Sequence, residues 1–512
     1  MLRIVTENCG HQGVAPYFYR PFIPMISDTL PMHENGNYGS QQRKEHFASS
    51  AAPDLHYQLP QEDLEGEFFS WESPDMPIRE KVYKPESEPA TPISDPFPLL
   101  SRNPPPKRSL LQAPQINRPP RRHAPERTPL FIGFTRNWPQ LLQCVVSYIA
   151  AGWPPEDIHV VENTGVMFAN RDGRLTLQNP FYLNHTQLAM LGVGVIITPT
   201  LLTFAQLQNF YLATALSLDL PYFFWSHQDV MVFSNETATA TSPSTSSATS
   251  SNRSSSSGSS SSLYANALRA LRYLLSPASP RWAHHFFAYD HLTLVNRDAV
   301  LAAGAWDTQI AYYASDCDMY VRLMRAGYWQ GESDVGIILD VASVMADVGA
   351  LLRIPGIVAR LAGDDIDDGG GDNDGDGGDY DDLFLLRGGG GEEKKKKMMM
   401  IKMINERGES WERLLELGYR MERMKYYSGN GDRNTWQARQ RGGQGEPFYR
   451  DPDGFEQGVR MWIDTGRSVF AEKWGHRGCD IARAGVRPED AWQLERDWDI
   501  ETEGMGHQGG SW

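Results

Sequence analysis

The polar residues Ser226-His227-Gln228-Asp229 follow directly on the apolar run Tyr222-Phe223-Phe224-Trp225 and precede Val230-Met231-Val232-Phe233. An unbroken apolar run of that length reads as a strand buried on both faces. Burying an imidazole, an amide and a carboxylate at its end costs several kcal/mol unless something binds them. The strand end is therefore expected to present a carboxylate to a metal ion or a sugar nucleotide; a plain polar turn is the alternative. A second group of acids, Asp316 and Asp318, stands in Tyr312-Tyr313-Ala314-Ser315-Asp316-Cys317-Asp318-Met319-Tyr320-Val321-Arg322. Ser315 and Asp318 have capping-box spacing, and acids in a first turn suit the helix dipole. Two acids beside Trp306-Asp307 and several tyrosines exceed what capping needs.

The elements that must position these residues begin at Pro129. Leu130–Thr135 reads as a strand, Arg136-Asn137 as the loop opening a helix that Gly152 stops, and Ile158–Val161 as a second strand ending in Glu162-Asn163-Thr164-Gly165. Strand, helix and strand in so short a span predict a parallel pair with a right-handed crossover. Such sheets bind ligands at the carboxyl ends of their strands. That rule marks Arg136, Asn137, Glu162 and Asn163, although the last two also fit a simple turn. A helix over 184–191, a strand over 194–198, and a helix opened by a Thr203–Gln206 capping box lead into the central strand. Beyond it, 286–295 is predicted as one strand, partly alternating and antiparallel. Arg297–Ala303 is predicted as a short helix, and helices return from Glu409. The alternation makes a doubly wound α/β domain.

Composition divides the rest. Residues 1–127 are rich in Pro, Ser, Glu and Gln and are expected to be disordered. The main domain runs over 128–360 and carries a Ser/Thr-rich insertion at 236–262. An Asp/Gly tract and then a Lys/Met tract fill 363–400, a C-terminal part of the same domain spans 401–490, and a polar tail spans 491–512. Asp372-Asn373-Asp374-Gly375-Asp376 fits a calcium loop only loosely, because the closing Glu is missing. The net charge of −16 is dominated by that acidic tract, and no basic face of domain size suggests nucleic acid. The four cysteines have neither metal spacing nor the density of a disulfide framework; Cys144 and Cys317 are expected as buried thiols. No apolar run is long enough for a transmembrane helix, and the N-terminus lacks a signal-peptide pattern.

In their order, these stretches resemble the GT-A glycosyltransferases of family 2 and fungal proteins that look like them. The resemblance rests on Ile132-Gly133-Phe134, Val161-Glu162-Asn163-Thr164, Gln206-Leu207-Gln208-Asn209, Phe224–Asp229 as a DXD-like strand end, and Ser315–Arg322. It covers about 130–350, with a return at 405–485. It implies a mostly parallel, Rossmann-like sheet flanked by helices. It also implies transfer of a sugar, with inversion, from a nucleotide-diphospho-sugar (a UDP-sugar) to a hydroxyl of a glycan, lipid or protein. Asp316 would be the base, and Asp318 a second catalytic residue. Arg136, Asn137, Glu162, Asn163, Asn209, His227, Gln228, Asp229, Trp306, Asp307 and Arg322 would surround the donor. Asp229, His227 and His476 would hold Mn²⁺ or Mg²⁺. Two departures are visible: His227 replaces the first DXD acid, and Ser315 replaces an acid before Asp316. A hard cation prefers oxygen to imidazole. A non-catalytic nucleotide-sugar-binding or scaffold protein, and a sugar-phosphate nucleotidyltransferase, are the competing readings. The second lacks its Gly-rich basic loop after the first strand. Enzymes of this kind commonly face the Golgi lumen, but the sequence specifies no location.

Overall fold

A computed structural model describes residues 92–119, 126–236, 262–363, 391–427 and 451–500. The expectations for residues 1–91, for nearly all of the Ser/Thr insertion and for most of the Asp/Gly tract fall outside those residues.

Seven strands form the central sheet: β1 (Leu130–Phe134), β2 (Ile158–Glu162), β3 (Gly194–Ile197), β4 (Tyr222–Ser226), β6 (Trp282–Phe286), β7 (Leu292–Asn296) and β8 (Trp329–Glu332). Their spatial order is β3-β2-β1-β4-β7-β6-β8. Neighbours pair in parallel except at β7, which runs antiparallel to both β4 and β6. A small second sheet pairs β5 (Val230–Phe233) with β9 (Ile337–Asp340). The fold is the expected mixed α/β architecture, a mostly parallel central sheet flanked by helices.

Alternation along the strands explains the two layers. Leu130, Ile132 and Phe134 of β1 join one core with Leu141, Val145 and Ile149 of α1 (Trp138–Ala150). Phe131 between them points into the other core, with Ala205, Tyr211 and Leu212 of α3 (Phe204–Ser217). Each fully buried side chain of this size contributes about 1.5–3 kcal/mol. Helix α3 opens on the predicted capping box, with both Thr203 and Gln206 bonds made. The other helices before the acidic tract are α2 (His185–Leu191), α4 (Leu263–Leu274), α5 (Arg297–Ala302) and α6 (Ser315–Arg325). After it come α7 (Gly391–Arg407), α8 (Trp411–Tyr427), α9 (Pro452–Trp474) and α10 (Asp497–Ile500).

Several expectations are corrected. Residues 92–119, assigned to the disordered segment, lie on the core through Phe97, Leu100 and Leu111. Asn117 Nδ2 donates to Ala150 O at 3.0 Å, closing the end of α1. Gly152 there has φ +95°, and a Cβ would stand 2.3 Å from Asn117 O, so only glycine fits. These apolar anchors are too irregularly spaced among prolines to show a period. The stretch 286–295 is not one strand: Phe286 ends β6 and Leu292 starts β7, with a turn between. The Ser315–Asp318 capping box is absent. Ala314 caps α6, and Ser315 Oγ donates to Tyr312 O at 2.5 Å. The whole Lys/Met tract is helical in α7, which suits residues of high helix propensity. Cys317 is not a thiol but is joined to Cys479 in a disulfide; Cys144 is free and buried.

Candidate functional site

The carboxyl end of β4 is held from several sides. Tyr148 donates to Ser226 Oγ at 2.8 Å, and Ser226 Oγ donates to His291 O at 2.8 Å. Gln228 ties in the loop after β1: its Nε2 donates to Arg136 O at 2.7 Å, and its Oε1 accepts from Thr135 N at 3.3 Å. Because β7 is antiparallel, with Ser226 opposite Leu292, its first residues reach the last of β4. This brings Asp290 and His291 to His227. In the second sheet, Val230 stands opposite Asp340, and Val341 N donates to Asp229 O at 2.8 Å. Asp229 and Asp340 are thereby neighbours across this pairing.

One lysine fills the space between them. Lys425 Nζ donates to Asp229 Oδ2 at 2.9 Å and to Asp340 Oδ1 at 2.5 Å, while Tyr426 donates its hydroxyl to Asp340 Oδ2 at 2.6 Å. The Lys425 side chain is only 3% exposed. It is fixed because α8 lies tightly on the small sheet: a Cβ on Gly418 would be 2.7 Å from Leu339 and 3.0 Å from Met231. Burial disfavours both ionised partners. Even so, Lys425, with His227 and His291, holds Asp229 below the usual carboxylate range, and the two aspartates raise Lys425.

His227 is a third exposed and lies 3.5 Å from Asp290 Oδ2. Its ring stacks near Phe204 and meets Trp225 edge-on. Burial works against its charge, but the bond to Asp290, reinforced by Asp229 and Asp340, raises its pKa to about 9. His291 goes the other way: burial and the neighbouring His227 cation lower it despite Asp340 at 3.8 Å.

Asp316 borders this cluster at the start of α6. Tyr289 donates to its Oδ2 at 2.6 Å. Burial raises its pKa, and the nearby Asp290 adds to the rise against the Tyr289 bond. Among the described residues no cation is paired with Asp316.

The remaining expected site residues are engaged elsewhere. Asp318 is fully buried and accepts from Arg322 Nε at 2.8 Å, Lys473 Nζ at 2.7 Å and Trp474 Nε1 at 3.2 Å. It anchors α6 to α9, the carboxylate expected to be catalytic being engaged by three protein donors. Arg322 is spent on Asp318 and on the carbonyls of Ala303 and Ala305. Asp307 accepts from Lys473 at 2.8 Å, and Asn209 is doubly bonded to the Trp306 backbone. Glu162 is buried and saturated, with His185 and Asn170 each at 2.8 Å and Thr164 at 3.3 Å, so its carboxylate is not open to a nucleotide. Asn163 clasps Leu202 through both N–H and C=O. Asn137 caps α1, and buried Arg136 is ion-paired to Glu456 under the Phe455 ring. Of the expected set, the structure gathers His227, Gln228 and Asp229, with Asp316 next to them.

Of the three expected cation ligands, His227 and Asp229 lie together, and His476 is engaged elsewhere. His476 is held between Asp480, at 2.8 Å, and Asp497. These two carboxylates outweigh burial and raise its pKa. The sole metal-ligand cluster among the described residues is Asp316, Cys317 and Cys479, and its two sulfurs are spent in the disulfide. Asp229 already shares an ammonium with Asp340, and His227 is paired with Asp290. These residues do not fit a divalent cation.

Sequence reasoning missed Tyr289, Asp290, His291, Asp340, Lys425 and Tyr426. Tyr289-Asp290-His291 and Asp340 interrupt or end apolar runs, the same signal that marked Asp229. Lys425 continues the core-facing stripe Leu414, Gly418, Met421 at helical spacing, where a lysine is out of place unless paired.

No protein family matches the chain, and no curated protein matches it, so the likeness to fungal proteins finds no support in sequence. Among solved structures, the chain is similar to the mannosyltransferase PcManGT from Pyrobaculum calidifontis in complex with GDP-Man and Mn²⁺. The match has 12% identity and a TM-score of 0.26, and covers 44% of this chain and 57% of that one. The chain thus spans little more than half of that protein's length, and a likeness of this size carries no argument about activity.

Proposed function

We propose that this chain is a glycosyltransferase that moves a sugar from a nucleotide-diphospho-sugar to a hydroxyl group, with Asp316 as the base. The observation that supports it most is the state of Asp316. Asp229, Asp307 and Asp318 are paired with lysines and Glu162 is engaged by His185, Asn170 and Thr164, whereas Asp316 is bonded to Tyr289 with no cation paired to it among the described residues, and it adjoins the polar cluster at the carboxyl end of β4. Ligands of open α/β sheets bind at that end. The link from this fold to this chemistry is an analogy, since one fold hosts many activities.

In the proposed reaction the acceptor O–H gives its proton to Asp316 as its oxygen attacks the anomeric carbon. The bond from that carbon to the diphosphate oxygen breaks, and the electron pair leaves with the nucleoside diphosphate. Attack from the opposite face inverts the configuration. A carboxyl with a raised pKa accepts the proton more readily than an ordinary one. His227, charged and partly exposed, is the group at this strand end suited to meet the diphosphate. UDP is the nucleotide we expect; the acceptor is a glycan, lipid or protein. No helix among the described residues is long and apolar enough to cross a membrane.

The saturation of Glu162, Asn163 and Asn209 favours a second reading, a binding protein without transfer, because these expected donor contacts are consumed internally. Thermal melting against UDP, GDP and their sugar conjugates tests the donor site. A ligand at 100 times its Kd adds about 2.7 kcal/mol. A shift with one nucleotide, plus sugar release that Asp316→Asn abolishes, supports transfer. A shift with no turnover toward any acceptor or water supports the binding reading. No shift in folded protein removes both.

A further inference from the structure

The Asp229–Asp340 pair is built like a cation site but is already filled from within. Its carboxylates belong to segments locked by backbone pairing, Asp229 beside β5 and Asp340 at the end of β9. Their backbones are thereby held as neighbours, and both carboxylates reach one ammonium. The ammonium of Lys425 lies within 2.9 Å of one and 2.5 Å of the other, and Tyr426 takes the remaining Asp340 oxygen. His291 closes a further side at 3.8 Å from Asp340.

We propose that Lys425 stands in the place of the divalent cation, so that this strand end binds its nucleotide-sugar without a metal. The inference deepens the transferase reading and rests on it for the identity of the ligand.

The physical reason is exclusion. A hard cation collects about six oxygen ligands, and here both carboxylates are already bonded to one ammonium, with Tyr426 on a further oxygen. To enter, the ion would have to push out a lysine whose side chain is 3% exposed and whose helix is pressed against the sheet at Gly418. That would strand an ammonium in the interior without its partners, an arrangement strongly disfavoured. A fixed internal cation supplies one positive charge shared by the two acids, and it needs no ion from solution.

The test uses the full chain, stripped with EDTA. Mn²⁺ is titrated alone and with UDP, and the free ion is counted by its electron paramagnetic resonance signal. Melting midpoints with UDP are compared in Mn²⁺ and in EDTA. The wild type is expected to take up no Mn²⁺ beyond that bound by UDP itself, and to show the same UDP-induced shift in both buffers. Lys425→Met is expected to gain one Mn²⁺ per chain, at least tenfold tighter than any wild-type binding, and to lose it when Asp229→Asn is added. Mn²⁺ uptake by the wild type that vanishes in Asp229→Asn overturns the proposal. So does a folded Lys425→Met chain that gains no Mn²⁺. The comparison of the wild type with Asp229→Asn does not depend on Lys425→Met folding, and it separates this site from the other acids of the chain. If no nucleotide binds at all, the transferase reading fails, while the Mn²⁺ titration still judges the role of Lys425.

Discussion

Tyr289 donates its hydroxyl to Asp316 Oδ2 at 2.6 Å, joining the turn before β7 to the first turn of α6. The bond favours the ionised carboxylate, and it opposes the burial and the Asp290 charge that raise the Asp316 pKa. Tyr289→Phe removes the opposing influence, so the Asp316 pKa moves further up. A base works only when deprotonated, so the acid limb of kcat/KM is expected to shift to higher pH, with activity recovered on the alkaline side. Tyr289 is largely exposed, so the melting temperature should barely change. A pH–rate profile of the variant checks this; an unmoved acid limb would separate Asp316 from the chemistry.

Asp316 and Asp318 are two residues apart and should behave oppositely when changed. Asp316→Asn is expected to lower transfer by about 10²–10⁴-fold with stability and nucleotide binding retained. Asp318→Asn leaves Lys473 and Arg322 buried beside a neutral group, and is expected to destabilise the fold by about 3–5 kcal/mol. Denaturant melts of the two variants, alongside turnover, would show the contrast.

Two histidines give the stability curve opposite slopes. His284 is buried without a hydrogen-bond partner for either ring nitrogen among the described residues, and burial lowers its pKa from 6.5 to about 3. The unfolded chain therefore binds a proton that the folded one refuses. The stability tied to this group is complete above pH 6.5 and is lost as pH falls toward 3, on the order of a few kcal/mol. His227 is raised to about 9, so its contribution is complete below 6.5 and is lost as pH rises through 9. His284→Phe should flatten the acid side of the curve and His227→Gln the alkaline side, read from unfolding free energies across pH.

The Cys317–Cys479 disulfide links α6 to the segment after α9 across 162 residues of sequence. Removing a bond that closes so long a loop is expected to cost roughly 2–5 kcal/mol. Cys479→Ser, or a strong reductant on the native chain, should lower the melting temperature. The loss should be felt in the cluster of Ile310, Val321, Phe470 and Trp474 that the bond adjoins. Equal melting temperatures with and without reductant would count against it.

The sequence alone determined the local framework. Apolar runs at strand period, the Thr203–Gln206 box and Gly152 are short-range signals, and β1, α1, β2, β3, α3 and β4 formed where those signals lie. The marking of Ser226–Asp229 also came from local chemistry, because polar groups at the end of a buried strand demand partners wherever the chain goes.

Tertiary structure decided what those partners are. Lys425 meets Asp229 across 196 positions and Asp340 across 85, distances over which no periodicity carries information. The reversal of β7 brought Asp290 and His291 to β4, and a second sheet turned Asp340 toward Asp229. The same long-range packing used up Glu162, Asp318 and His476, whose residue types suit a ligand equally well. A carboxylate reads identically in sequence whether a ligand or a buried cation satisfies it. Which of the two it is depends on the neighbours that folding supplies.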